Sequence, residues 1–143
     1  MCVIFLRSLD RFELPIEIIL VEWNPLDGYE PLADIITRWH TSVPFHHPVR
    51  VITVSKENHE RFISKFSYTD GYKSFQEYPS KNVGIRHARG KYIIQTNPDI
   101  FYPLSTIRFI ENLIRSMIFK MLLSAVILAE NVSIYSTFCF LQF

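Results

Sequence analysis

The stretch IEIILVEWNP, residues 16–25, decides the fold that we predict for this chain. Its first six residues are apolar on both faces and rich in β-branched side chains, which is typical of a strand buried in a parallel sheet. Two further runs have the same character, VRVITV at 49–54 and KYIIQT at 91–96. We therefore predict one parallel sheet that contains residues 17–21, 49–54 and 91–96.

Helical patterns surround these three runs. Apolar residues recur at the spacing of one helix face in three places: Leu32, Ile35, Ile36 and Trp39; His59, Phe62, Ile63 and Phe66, behind Ser55 as a predicted N-cap; and Leu104, Ile107, Ile110, Ile114 and Met117. Before the first strand, Phe5, Leu9 and Phe12 share a helical face. Alternating strands and helices predict an α/β fold, with a Rossmann-like, mostly parallel sheet flanked by helices.

The bulk composition narrows the classes of function. A chain of 143 residues has room for one domain of ordinary size. It is 48% hydrophobic and 20% charged with a formal net charge of +1, which gives no electrostatic basis for a nucleic-acid partner. Cys2 and Cys139 lie at opposite ends without CxxC spacing, so neither a disulfide framework nor a zinc site is indicated.

Two apolar segments bear on location. The opening run MCVIFL is broken at once by Arg7, so we expect no signal peptide and a cytoplasmic protein. MIFKMLLSAVILA, residues 117–129, contains Lys120 and is shorter than the roughly 20 apolar residues of a membrane span. A core helix is the favoured interpretation, and membrane association through this segment is the alternative. The β-prone end, AENVSIYSTFCFLQF, has no partner that the sequence identifies.

Candidate site residues follow the predicted strands, because ligands of open α/β sheets bind beyond the carboxyl ends of the strands. The three sequences at those positions are EWNP at 22–25, SKEN at 55–58 and NPD at 97–99. We expect the carboxylates of Glu22 and Asp99 to face the same crevice. Taken alone, either residue also fits a solvated strand end.

A helix is predicted between Ser80, as its cap, and Gly90, as its stop. Free backbone N–H groups together with Lys81 and Asn82 at its amino end would suit an anionic group such as a diphosphate. Gly84 would permit a close approach of a ligand or a strand. The alternative is an ordinary surface helix whose basic side chains lie in water.

The turn after the third strand offers oxygen ligands to a metal. Asn97 and Asp99 flank Pro98, and Mg²⁺ or Mn²⁺ is often held by one or two carboxylates together with the phosphates of a substrate. Asn97 brings no charge. The adjacent pair His46 and His47 has no third ligand at a suggestive spacing, so we interpret it as loop.

These motifs, EIILVEWNP, VRVITVSKENHERF and EYPSKNVGIRHARGKYIIQTNPDIF in that order, resemble the nucleotide-binding half of GT-A-fold glycosyltransferases, most closely family-2-like members. The resemblance covers roughly residues 6 to 105. It implies that Glu22 binds the nucleotide base and that Asn82 to Gly84 line the nucleotide crevice. It implies further that Lys81 and Arg86 contact phosphate.

In the same family a DxD turn holds the divalent ion and the diphosphate, and Asn97-Pro98-Asp99 resembles that turn with its first aspartate replaced. The implied ligands are therefore Mg²⁺ or Mn²⁺ and a nucleoside-diphosphate sugar. The resemblance does not identify the sugar or the acceptor.

Two parts of the family pattern have no match. The first strand is missing, and the acceptor half that carries the catalytic base in inverting members is replaced by an apolar sequence whose carboxylates are Glu111 and Glu130. No catalytic residue is assigned. We expect a fragment of such an enzyme, with a truncated nucleotide-sugar-binding domain at 1–105 and an apolar helical or irregular tail at 106–143. A non-catalytic nucleotide-binding or interaction module is the alternative. An open sheet side predicts poor stability.

Overall fold

A computed structural model describes residues 2–65, 77–116 and 132–138. The described chain is mixed α/β, with five helices and a small parallel sheet of four strands. In chain order the elements are α1 (Cys2–Leu9), β1 (Ile16–Trp23), α2 (Leu32–Ser42), β2 (Val49–Val54), α3 (Lys56–Lys65), α4 (Glu77–His87), β3 (Tyr92–Thr96), α5 (Leu104–Arg115) and β4 (Val132–Phe138).

The three predicted strands lie in one sheet, and the prediction of parallel strands is confirmed. The strand order is β2-β1-β4-β3, and every neighbouring pair is parallel. Since parallel strands end at the same edge, the residues that follow β1, β2 and β3 share what we call the carboxyl edge. The opposite edge, where the strands begin, is the amino edge.

β4 is the element that the sequence did not predict. Residues 132–138 were expected in a helical or irregular tail, whereas the structure has them as a strand that pairs with β1 on one side and with β3 on the other. β4 lies in the interior of the described sheet, between β1 and β3. The side of β1 that does not face β2 is therefore paired and not open, in contrast to the open sheet side that the sequence predicted.

One face of the sheet carries the larger core. Ile16, Ile18 and Leu20 alternate along β1 and are fully buried against α1, α2 and α5. The helix residues in this cluster are Phe5, Leu6, Leu9, Leu32, Ile36 and Ile107, with Trp39, Ile110 and Ile114 packed against it. The predicted apolar faces of α1, α2 and α5 therefore lie on this face, although Leu104 is exposed and Met117 is outside the described residues.

The second face carries α3 and α4. Ile19 and Val21 of β1 are buried beneath Val83 and Ala88, and α4 packs against both β1 and β4. Near the carboxyl edge, Trp23 meets Phe62 of α3 edge to face, with ring centroids 5.8 Å apart. The apolar run of β1 is continuous because helices cover the strand on both faces of the sheet.

The predicted caps have different outcomes. Ser55 caps α3 as expected, since its Oγ accepts the N–H of Asn58 at 3.3 Å. Ser80 does not cap α4, because this helix already begins at Glu77 and the Ser80 hydroxyl donates to the Glu77 carbonyl at 2.7 Å. Pro79 is compatible with the first turn, where its missing N–H costs nothing. α4 ends at His87, before the predicted stop.

None of the helices within residues 2–65 and 77–116 combines the length and the apolar composition that crossing a bilayer requires. The segment 117–129 lies outside the described residues.

Candidate functional site

The carboxyl edge brings the ends of β1 and β3 to the same level. Glu22 pairs with Phe138 of β4, and Thr96 of β3 pairs with Ser136, two residues earlier. Pro98, two residues beyond Thr96, is therefore level with Glu22. One strand separates the two, which corresponds to about 10 Å between their backbones. Glu22 and Asp99 therefore lie at one edge, as predicted, but Glu22 is buried and its carboxylate does not face a crevice shared with the exposed Asp99.

Glu22 is bonded within the protein and is not a solvated strand end. Glu22 is only 2% exposed. Its Oε1 accepts the N–H of Leu32, at the start of α2, at 3.0 Å. Oε2 accepts the hydroxyl of Thr53, also at 3.0 Å. A carboxylate beside a helix N-terminus is stabilised by the helix dipole and by the unpaired N–H groups there. Glu22 therefore ties α2 and β2 to the end of β1.

The remaining EWNP residues shape the loop that leaves β1. Asn24 has a positive φ of 49°, a conformation that asparagine tolerates better than most residues, and its N–H donates to the Val54 carbonyl at 2.8 Å. The indole Nε1–H of Trp23 donates to Nδ1 of the buried His59 at 2.9 Å. The loops after β1 and β2 are thus joined by backbone and side-chain bonds.

The turn after β3 presents the proposed metal ligands. Thr96 is buried, whereas Asn97 and Pro98 are half-buried and Asp99 is exposed. The N–H of Ile100 donates to the Asn97 carbonyl at 3.2 Å and closes the turn. Asp99 can therefore contact a ligand that arrives from the solvent without losing a side-chain hydrogen bond or ion pair that the structure shows.

The predicted residues of α4 are spread along the helix. Lys81 is 15% exposed and its Nζ lies 2.5 Å from Oε1 of Glu77, one turn earlier. Asn82 and Arg86 are exposed, and Gly84 is buried where α4 packs on the sheet. The sequence had suggested that the backbone N–H groups of residues 81 and 82 are free to bind an anion. Because α4 begins at Glu77, these two groups lie in its second turn, where they are bonded within the helix.

α4 also separates two of the predicted phosphate contacts. Its carboxyl end lies at the amino edge, where the His87 carbonyl accepts a bond from Arg50 and the N–H of Arg89 donates to Glu17 at 2.6 Å. Arg86 is next to that end. Lys81 lies about 7 to 8 Å closer to the carboxyl edge along the helix axis. The structure therefore brings Lys81, and not Arg86, towards the side of Asp99.

The remaining carboxylates do not add to this site. Oε1 of the buried Glu111 accepts the backbone N–H groups of Glu13 and Leu14 at 2.6 and 2.9 Å, just before β1 begins at the amino edge. Glu130 lies outside the described residues. Within the described ranges, no three His, Cys, Asp or Glu side chains form a group that could hold a metal.

A pocket of about 320 Å³ lies at the amino edge, away from the predicted site. Its lining comes from three separate segments: Pro15, Ile16 and Glu17; His46, His47 and Pro48; and Arg89 and Gly90. Sequence reasoning missed it because no single segment carries a motif. The only signal was the pair of adjacent histidines, which we had interpreted as loop.

Comparison with known proteins identifies no relative. No protein-family model, no curated protein and no solved structure matches the chain. The interpretation of the site therefore depends on its own geometry and on the sequence motifs.

Proposed function

We propose that the carboxyl edge binds the diphosphate of a nucleoside-diphosphate sugar together with Mg²⁺ or Mn²⁺, in a Rossmann-like domain of the GT-A type. The observation that carries this proposal is the position of the turn Asn97-Pro98-Asp99, level with the end of β1 and with the Asp99 carboxylate exposed. Binding beyond the carboxyl ends of parallel strands is the general rule for such sheets.

In this proposal Asp99 is the charged protein ligand of the ion and Asn97 adds a neutral oxygen. Two such residues alone bind a divalent ion weakly, so the phosphates of the nucleotide would supply further oxygens. Lys81 would contact the diphosphate after leaving Glu77, from which it is separated by 2.5 Å in this structure. Asn82 and Gly84 would line the crevice, and Arg86 would act only on a ligand that extends along α4.

Glu22 is the predicted contact of the nucleotide base. Because the residue is 2% exposed, this contact requires the loops after β1 and β2 to part. Without such a movement, its role is to hold Leu32 and Thr53 in place beside the crevice.

Sugar transfer would need a general base in addition to the metal. Glu111, one of the two carboxylates that the sequence left for this role, is committed to the turn before β1. This favours the second candidate function, a nucleotide-binding or interaction module without catalysis. The cytoplasmic location expected from the sequence, with no nucleic-acid partner, remains part of the proposal.

The test is a calorimetric titration of UDP and GDP with and without Mn²⁺. We expect binding only with the ion, and an affinity loss of about tenfold or more in Asp99→Asn, since a charge-assisted contact contributes roughly 1.5 to 3 kcal/mol. Glu13→Gln removes one exposed carboxylate at the amino edge and serves as the matched control with unchanged affinity. Asn97→Ala should have a smaller effect than Asp99→Asn.

Equal affinity with and without Mn²⁺ would refute the metal-dependent site, and equal losses in Asp99→Asn and Glu13→Gln would refute its location. A transfer assay with several sugar donors separates the two candidate functions. Turnover above background would identify an enzyme, whereas binding without turnover would identify the non-catalytic module.

A further inference from the structure

Among the residues that the structure describes, the carboxylates beside the amino-edge pocket are already paired with cations. These carboxylates belong to Asp10 and Glu17. Oδ2 of Asp10 lies 3.7 Å from Arg7 and 2.8 Å from Nδ1 of His46. Oε2 of Glu17 lies 3.6 Å from Arg50.

Arg89 and Lys91 flank Gly90 in sequence, and of these two only Arg89 lines the pocket. Arg89 lines the pocket and is exposed, and among the described residues neither Arg89 nor Lys91 forms an ion pair. Nζ of Lys91 and Nε of Arg50 are buried without a hydrogen-bond partner among the described residues, but neither residue lines the pocket. The cationic side chain that faces the pocket is therefore Arg89.

The histidines of the pocket each have one ring nitrogen already engaged. Nε2 of His47 lies 3.0 Å from the Phe12 carbonyl, which can only accept, so this nitrogen carries the proton. Nδ1 of His46 likewise faces a carboxylate. When protonated, each ring has its second N–H left to donate. Guanidinium and imidazolium groups around a concave surface favour an anion.

We propose that the amino-edge pocket binds a small molecule through a phosphate or carboxylate group, with Arg89 as its principal contact and the body of the ligand against Pro15, Ile16 and Pro48. A volume of about 320 Å³ is at the lower end of the range for small-molecule sites. The carboxylate of Glu17 also lines the pocket, but it does not prevent an anion from binding. Its charge is offset by Arg50, and its Oε1 accepts the backbone N–H groups of Arg89 and Gly90. This site is independent of the one proposed at the carboxyl edge.

The experiment is a proton NMR titration of the full chain at pH 6.0 with potassium phosphate and, separately, with potassium acetate, at constant ionic strength set by potassium chloride. The ring protons of the five histidines are assigned with single His→Gln variants. We expect saturable shifts of the His46 and His47 signals with at least one of the two anions. His59, at the carboxyl edge, should not shift. The anion that saturates the signals identifies the chemical group that the pocket prefers.

Arg89→Gln is the decisive variant, because its side chain is exposed and its loss should not impair folding. We expect it to weaken the anion about five- to tenfold, as for a partly solvated charge-assisted contact. Arg108→Gln removes a guanidinium from another exposed residue, on α5, and should change the affinity less than twofold.

Three results would overturn the proposal: shifts that stay linear up to 50 mM with both anions, equal weakening in Arg89→Gln and Arg108→Gln, or shifts of His59 without those of His46 and His47. None of these depends on nucleotide or on a divalent ion. Failure here and failure of the carboxyl-edge site are therefore distinguishable.

Discussion

The carboxylates of two buried glutamates accept hydrogen bonds from backbone N–H groups of the chain. Glu22 receives the first N–H of α2, and Glu111 receives two N–H groups from the turn between α1 and β1. Glu22, at a strand end, was a reasonable candidate for ligand binding, and its partners Leu32 and Thr53 lie 10 and 31 positions later. The partners of Glu111 lie 97 and 98 positions earlier. None of these spacings forms a sequence motif, so the bonds are recognised only in the folded chain.

Glu111→Ala should lower the free energy of unfolding by about 2 to 4 kcal/mol. The substitution leaves the N–H groups of Glu13 and Leu14 without their acceptor in a partly buried turn, and each such loss costs roughly 1 to 3 kcal/mol. Glu111→Gln keeps an acceptor oxygen and should cost about half as much. The measurement is urea unfolding followed by circular dichroism, with the slope of the denaturant dependence checked for constancy.

Glu13→Ala is the control for this variant, because it keeps the backbone N–H that Glu111 binds and removes only an exposed side chain. It should change the unfolding free energy by less than about 0.5 kcal/mol. A Glu111→Ala protein as stable as Glu13→Ala would show that the turn does not need its acceptor.

At the scale of elements, α4 shows where local signals succeed and where they fail. Ser80 resembles an N-cap, yet the helix extends one turn further back, to Glu77, because an acidic residue and Pro79 in a first turn are both favourable. The helix itself and its approximate end were predictable from the sequence. Its start was not, since two acceptable starts lie three residues apart. This shift moves Lys81 from the helix terminus into its second turn.

Gly84 of α4 should be sensitive to size. It is buried where the helix packs on β1 and β4, so Gly84→Leu should push the helix away from the sheet and lower the unfolding free energy by about 1 to 3 kcal/mol despite the better helix propensity of leucine. Asn82→Ala, two residues earlier on the exposed side, should leave stability unchanged or raise it by a few tenths of a kcal/mol. Urea unfolding compares the two. An unchanged Gly84→Leu would mean that α4 can move without loss.

At the scale of the whole molecule, the sequence predicted the strands and their common edge but not the strand order. Three apolar runs of strand length are strong local signals, and the parallel rule places their ends together. The burial predicted for all three on both faces holds for β1, whereas β2 is mostly half-buried and β3 exposes Ile93 and Gln95. β4 was recognisable as β-prone, but apolar periodicity does not say which strands a segment joins. The amino-edge pocket was equally hidden, because its walls meet only once β1, the loop before β2 and the turn before β3 are packed together.

β4 determines whether the sheet is one unit, and this leads to the last prediction. In the described chain β3 pairs only with β4, so β4 alone joins β3 to β1 and β2. A chain that ends at Ser116 keeps β1 to β3 and the five described helices but loses the interior strand. We expect this shortened chain to unfold without a cooperative transition. Because β4 joins the two parts of the sheet, we expect the full chain to unfold in a single step. Ile134→Pro tests the same point without truncation, since proline cannot supply the N–H of an interior strand. Its matched control is Ile134→Val, which should lower the unfolding free energy by less than about 1.5 kcal/mol. If the chain ending at Ser116 unfolds cooperatively at the same urea concentration as the full chain, then the first three strands form a sheet without β4 and the division of the chain near residue 105 is the better description.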